Sequence, residues 1–118
     1  MEERLNLLHE AGIIDKDIRD GLLATVNRLE TIWDIPMHNE QGEMAITHMA
    51  NALMRSRLGE RVNPLDEELW QELVTSELYP QLLPVHQALL APFDVQLHPN
   101  EEGYMLVNLL SLWLASRE

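Results

Sequence analysis

The apolar residues of this 118-residue chain recur every three to four positions almost from end to end. That spacing puts apolar side chains on one face of an α-helix, whereas a strand would need them to alternate. No stretch alternates with period two over the length of a strand. The pattern therefore predicts an all-α protein, a compact bundle of five to six helices in a single domain.

Glycine, proline and capping residues mark where the individual helices begin and end. The sequence predicts a first helix over 2–11 that ends at Gly12, and a second from Asp15 or Asp17 to Pro36, with apolar positions at Ile18, Leu22, Val26, Leu29 and Trp33. A third runs from the cap residue Asn39 to about Leu58, with Gly59 as its stop.

Prolines delimit the second half of the chain in the same way. The sequence predicts a fourth helix that begins in Asn63-Pro64-Leu65-Asp66 and ends before Pro80, a fifth over about 81–91, and a last one from Pro99 to about Ser116. Residues 1–14 are assigned to an N-terminal extension and residues 15–116 to the core bundle, and no linker or internal repeat divides the chain.

The last predicted helix is apolar around most of its circumference. Its polar or small positions form one stripe, with Asn108 at the middle: Glu101, Tyr104, Asn108, Ser111 and Ala115. A helix of this kind is expected to be buried on more than one side. A small monomer would not cover it fully, which favours a homodimer.

Composition narrows the classes of function. An apolar fraction of 46% suffices for a core, while eight basic residues against twenty acidic ones give a formal charge of −12. Such a chain repels phosphate backbones, so direct binding to nucleic acid or to an anionic membrane is disfavoured. The absence of cysteine excludes disulfides and thiolate chemistry. An acidic N-terminus and the lack of a long apolar run predict a soluble cytoplasmic protein.

Two segments about sixty residues apart resemble the signature segments of the PTS regulation domain (PRD), a helical module of bacterial sugar-regulated transcription factors. They are Ile46-Thr47-His48-Met49-Ala50-Asn51-Ala52-Leu53-Met54-Arg55 and Glu101-Glu102-Gly103-Tyr104-Met105-Leu106-Val107-Asn108-Leu109. The resemblance extends from about residue 15 to residue 115. It implies a domain that senses the phosphotransferase system and controls carbohydrate uptake or use.

In the PRD family each signature carries a histidine that accepts a phosphoryl group. The resemblance makes His48 the candidate acceptor, with Arg55 at the family spacing and Tyr104 in the second segment. Thr47 stands where the family has an acidic residue, and Asn108 stands where it has its second histidine. Asparagine cannot be phosphorylated in this way, so position 108 would be fixed in an unphosphorylated-like state.

Arg55 lies seven residues after His48, on the same helical face and about 10.5 Å along the axis. A phosphoryl acceptor needs a neutral ring nitrogen and nearby donors to stabilise the transferring oxygens. Arg55, Arg57 and Arg61 are predicted to form the one locally positive patch. Arginines in the last turn of a helix are also favoured by the helix dipole alone.

Two hypotheses of different class remain open. In the first, the chain is a signalling module that receives phosphate at His48 from the histidine phosphocarrier or a sugar-specific enzyme II component. In the second, it is a degenerate PRD that acts through dimerisation or by pairing with another regulator. In both, a separate transcription regulator is expected to hold the output domain.

The remaining polar residues point to no catalytic or metal chemistry. His9, His38, His86 and His98 have no metal-ligand spacing, and no phosphate loop or nucleophile elbow occurs. His86 is expected to be packed and hydrogen-bonded, and His98 to be a loop or cap residue. The sequence predicts no enzyme activity and no cofactor, and it leaves open a small-molecule pocket between helices.

Overall fold

The protein is described by a computed structural model covering residues 1–117. Six helices are present: α1 (Glu2–Glu10), α2 (Lys16–Thr31), α3 (Glu40–Arg57), α4 (Glu67–Thr75), α5 (Tyr79–Leu90) and α6 (Pro99–Ala115). Among these residues there is no strand. The predicted all-α bundle is therefore confirmed.

α6 packs against α3, α4 and α5. The most extensive pair is α3 with α6, and α5 covers another side of α6. α2 packs against α3 and carries α1, while α4 touches both α5 and α6. Leu5 and Ile14, in the segment predicted as an extension, are 0% and 2% exposed. Residues 1–14 therefore contribute to the shared core.

Two glycines end helices as the sequence indicates. Gly12 and Gly59 both have φ of 77°. After α3 the amide of Glu60 donates to the carbonyl of Arg55 at 2.8 Å, and that of Gly59 donates to the carbonyl of Ser56 at 3.3 Å. This pair of bonds is the Schellman arrangement, which requires a left-handed residue and so favours glycine.

The start of α3 also matches the prediction. The side chain of Asn39 accepts a hydrogen bond from the amide of Gly42 at 2.8 Å, which satisfies one of the free donors at the helix N-terminus. His98 caps α6 in a similar way, because its Nδ1 accepts from the amide of Asn100 at 3.1 Å. The prediction of a cap role for His98 is confirmed.

The predicted end of α2 at Pro36 is wrong by several residues. The helix stops at Thr31, and Asp34 adopts a positive φ of 55°. A proline disfavours helical geometry in the residue before it, here Ile35. The turn carries Ile35 and Met37 into the core, where they are 1% and 0% exposed.

The predicted start of α4 at Asn63-Pro64 is also wrong. The helix begins at Glu67, with Asp66 at its N-cap. The preceding residues lie against α6, where the Tyr104 hydroxyl donates to the carbonyl of Asn63 at 3.0 Å. A tertiary hydrogen bond has replaced the local helical one.

Burial of α6 follows most of its apolar pattern, although Leu114 near its end is 49% exposed. Ser111 and Ala115 are exposed, as the polar stripe predicts, and Asn108 is half-buried. Glu101, assigned to the same stripe, is instead 2% exposed. Of the helices in residues 1–117, none is long and apolar enough to cross a membrane.

Candidate functional site

A groove of about 310 Å³ lies between α3 and α6. Four of the five residues selected from the sequence line it: His48 and Arg55 on α3, and Tyr104 and Asn108 on α6. The remaining lining residues are Ala52, Val62, Glu101, Met105 and Val107. The two sequence segments that resemble the PRD signatures therefore meet at one surface.

The imidazole of His48 is accessible in this groove. His48 is exposed on the middle of α3. Within residues 1–117 neither ring nitrogen has a hydrogen-bond partner in the structure, although several other side chains of α3 do. The ring lone pair is consequently open to a molecule arriving from solvent.

Arg55 is held by a buried carboxylate. Its Nε and Nη2 donate to the two carboxylate oxygens of Glu101, each at 3.2 Å. The side chain of Arg55 is 38% exposed, while that of Glu101 is 2% exposed. This two-point pairing fixes the plane of the guanidinium and joins the last turn of α3 to the first turn of α6.

Glu101 lines the groove but is not among the candidate site residues predicted from the sequence. An acidic residue in the first turn of a helix is favoured by the helix dipole alone, so this position by itself indicates no role in a site. A signal was present, since it begins the polar stripe that contains Tyr104 and Asn108. Its burial depends on where α3 packs against α6, which no local pattern specifies.

The rim of the groove is tied down by hydrogen bonds from α6 to the segment before α4. Tyr104 donates to the carbonyl of Asn63, and the side-chain amide of Asn100 donates to the carbonyl of Val62 at 3.0 Å. These bonds hold Val62 in the wall of the groove. The Tyr104 ring itself remains 39% exposed.

Asn108 lines two neighbouring hollows. It lines the groove and also a second hollow of about 40 Å³ whose other walls are mainly apolar, from α2, α3, α5 and α6. Its half-buried side chain makes no hydrogen bond to another residue in the range 1–117. It is therefore a polar group with unused donors and acceptor beside the candidate acceptor histidine.

Thr47 lies outside the groove. Its hydroxyl donates to the carbonyl of Glu43 at 2.8 Å and accepts from Nη1 of Arg4 at 3.2 Å. Glu43 also lies 3.9 Å from Nη2 of Arg4. Thr47 therefore contributes to the contact of α3 with α1 and gives no orienting contact to His48.

The predicted positive patch is wrong. Arg57 turns away to Asp15 and Asp17, with contacts of 2.9 Å and 2.7 Å. These carboxylates raise the pKa of Arg57 further above its usual range, and the pKa of Asp17 is lowered mainly by its hydrogen bond to Arg57. Arg61 lines a different hollow, between the ends of α3 and α6. Arg55 alone supplies positive charge to the groove, and Glu101 balances it.

His86 is packed as predicted but lacks the expected hydrogen bond at one nitrogen. It is 3% exposed, and its Nε2 has no hydrogen-bond partner within residues 1–117. The carboxylate of Glu102 approaches this nitrogen at 3.5 Å. Burial lowers the pKa of His86, and the nearby Glu102 carboxylate opposes that effect in part.

The fold and the groove together define a small all-α protein with an exposed histidine beside an interhelical ion pair. The chain is 54% identical over 118 residues to the uncharacterized protein YhfY of Escherichia coli K12, covering all of this chain and 98% of YhfY. It belongs to the YhfY family. No protein-family model matches the chain, and no solved structure matches it.

Two more distant relatives are also similar. An uncharacterized protein of Haemophilus influenzae Rd is 29% identical over 105 residues, which cover 89% of this chain and 84% of that protein. The stationary phase-inducible protein CsiE of E. coli K12 is 31% identical over 114 residues. That match covers 91% of this chain but 25% of CsiE, so the related segment is one part of a longer protein there.

Proposed function

We propose that the protein is a cytoplasmic PRD-like regulatory module of the carbohydrate phosphotransferase system, with His48 as its phosphoryl acceptor. It accepts phosphate from the histidine phosphocarrier or an enzyme II component and passes the signal to a separate regulator. The observation that carries this proposal is the accessible, unbonded ring of His48 in a groove shared with Arg55, Tyr104 and Asn108.

The proposed reaction of His48 is the transfer of a phosphoryl group between two imidazole rings. A neutral ring nitrogen of His48 attacks the phosphorus of a phosphohistidine on the donor protein. The N–P bond of the donor breaks as the N–P bond to His48 forms, and the donor imidazole leaves with the electron pair. Each ring keeps the proton on its other nitrogen, so the positive charge moves from the donor ring to His48.

The groove offers two kinds of support for this transfer. Arg55 places a cation on the same wall, where it can stabilise charge on the transferring oxygens. Asn108 presents an amide that can donate a hydrogen bond without competing for the phosphoryl group. Because α3 and α6 carry these residues, they are held by the largest helix contact in the fold.

The proposal is tested by phosphotransfer from radiolabelled phosphoenolpyruvate through purified enzyme I and the histidine phosphocarrier, with a parallel reaction containing an enzyme II component. We expect acid-labile label on the wild type and none on His48→Ala. His38→Ala is the matched control, because His38 is also an exposed histidine but is bonded to Glu30 at 2.8 Å. Its label should equal that of the wild type.

Failure to label the folded wild type with either donor, while the carrier itself is labelled, would contradict the acceptor role. Equal labelling of wild type and His48→Ala would place the phosphate elsewhere. Circular dichroism of each variant verifies that the helices are intact, which is expected because His48 is exposed.

A second candidate function is an interaction module that no longer accepts phosphate. It is favoured by the position of Thr47, which contacts Arg4 rather than the ring of His48, and by the engagement of Arg55 with Glu101. Such a module would act as a homodimer or through a partner regulator. Sedimentation velocity over a range of concentrations, compared with Leu114→Glu on the exposed end of α6, tests the dimer.

A further inference from the structure

We propose that the Arg55–Glu101 ion pair responds to negative charge at His48, so that phosphorylation loosens the first turn of α6 from α3. A phosphoryl group on His48 draws Arg55 partly away from Glu101, and the contact between the two helices weakens at that end. The link between phosphorylation and this response rests on the proposed acceptor role of His48. The response of the ion pair to charge can be measured without it.

The charge balance of the groove is the first argument. Apart from His48, the ionisable side chains of opposite charge that line it are Arg55 and Glu101, which cancel. The phosphoryl group carries nearly two negative charges, which exceed the one positive charge that the His48 ring gains on transfer. Among the residues lining the groove Arg55 alone has a fixed positive charge, so it is the group available to both anions.

The geometry of Arg55 is the second argument. Glu101 uses its Nε and Nη2, while Nη1 makes no hydrogen bond to any residue in 1–117. The side chain is 38% exposed and can therefore rearrange at its surface. An arginine held along one edge, with the other edge free, can turn toward a second anion in the same groove.

Burial of Glu101 determines how the helix contact responds. This carboxylate is 2% exposed and has Arg55 as its ion-pair partner. When the cation is shared, the buried charge is less well compensated, and a buried charge is stable only when it is paired. The less well compensated charge therefore destabilises the first turn of α6, where Glu101 is the third residue.

Besides the ion pair, one hydrogen bond joins α3 to the N-cap residue of α6 within residues 1–117. The hydroxyl of Ser56 accepts from the amide of His98 at 3.1 Å. Asn100 and Tyr104 instead bond to the segment before α4. Loosening the ion pair would therefore release a local unit made of the first turn of α6 and residues 60–66. That surface is where a partner could detect the state of His48.

The experiment places a fixed negative charge at position 48 without phosphorylation. His48→Glu is compared with the neutral His48→Gln, and backbone hydrogen exchange is followed by NMR at residues 103–105. We expect exchange to be roughly twofold to tenfold faster in the charged variant, the range that corresponds to a weakened surface-accessible ion pair. The Arg55 Nε proton should also exchange faster.

Two controls isolate the ion pair. Met44→Glu adds the same charge to an exposed position on α3 that lines a different hollow, and it should leave exchange at 103–105 unchanged. In the background of Glu101→Gln, the difference between His48→Glu and His48→Gln should disappear. Equal exchange in His48→Glu and His48→Gln, or the same acceleration in Met44→Glu, would overturn the proposal.

The outcome is separable from that of the phosphotransfer experiment. If His48 accepts phosphate and exchange at 103–105 does not change, the ion-pair response is wrong and the acceptor role stands. If His48→Glu accelerates exchange while the wild type accepts no phosphate, the ion-pair response is supported and the acceptor role is wrong.

Discussion

At the scale of single residues, Glu101 places a carboxylate where water is nearly excluded. A buried charge of this kind is stable only when it is paired. The Glu101 carboxylate is 2% exposed, and Arg55 satisfies both oxygens. Removing one partner of such a pair leaves the other charge buried and uncompensated. The pair is therefore important for stability whether or not His48 is phosphorylated.

We expect Arg55→Ala to lower the free energy of unfolding by about 2 kcal/mol, less than for a fully buried pair because Arg55 is 38% exposed. The double variant Arg55→Ala/Glu101→Ala should lose less than the sum of the two single variants. Urea denaturation measures both. Arg57→Ala is the control: its partners Asp15 and Asp17 are exposed, so we expect a loss of about 1 kcal/mol or less. An additive double variant would contradict the coupling.

The candidate site shows which residue properties are readable from sequence. The spacing of His48 and Arg55 on one predicted helix, and of Tyr104 and Asn108 on another, is a property of each helix alone. All four line one groove. The pairing of Arg55 with Glu101 and the contact of Thr47 with Arg4 arise between helices, over 46 and 43 residues of sequence. Local patterns contain no information on such contacts.

At the scale of helices, boundaries set by local chemistry could be predicted and those set by tertiary contacts could not. Asn39 and Gly59 act through bonds within four or five residues of themselves, so their roles were visible in the sequence. The Asn63-Pro64 pair carries an equally good start signal. No helix begins there, because the carbonyl of Asn63 instead accepts a hydrogen bond from the hydroxyl of Tyr104, 41 residues away. A distant hydrogen bond thus overrides a local preference.

The role of Gly59 in ending α3 can be tested by substitution. Gly59 has φ of 77°, and a Cβ at this position would meet no atom within 4 Å. Gly59→Ala should therefore destabilise the protein through backbone strain alone, by about 1 kcal/mol. Gly59→Asn should lose less, because asparagine tolerates the left-handed region better. Thermal unfolding of the two variants measures the difference, and an equal loss would contradict the conformational explanation.

For the whole molecule, α6 is the element that joins the candidate site to the core. One part of its surface lines the groove, and another is buried against α3 and α5. Asn108 lines both the groove and the smaller apolar hollow, and His86 lines that same hollow from α5. The groove residue Asn108 and the buried His86 therefore belong to one packed region.

Burial of His86 makes global stability depend on pH between about pH 5 and 7. The pKa of His86 is lowered in the folded protein, chiefly by desolvation. Below about pH 6.5 the unfolded chain takes up a proton at this residue that the folded chain resists. The unfolded state then binds more protons, so the free energy of unfolding falls as the pH drops from about 7 toward about 5.

This effect can be separated from acid unfolding by carboxylates. The pKa values of Asp17 and Glu30 are lowered from 3.8 and 4.5, by hydrogen bonds to Arg57 and His38 respectively. Their stabilising contributions are therefore lost mainly below about pH 4.5. Urea denaturation of the wild type should show that the free energy of unfolding rises with pH between about pH 5 and 7. This slope should flatten in His86→Leu. It should persist in the control His48→Gln, since His48 is exposed. A slope retained in His86→Leu and lost in His48→Gln would show that the exposed histidine, rather than the buried one, controls stability in this range.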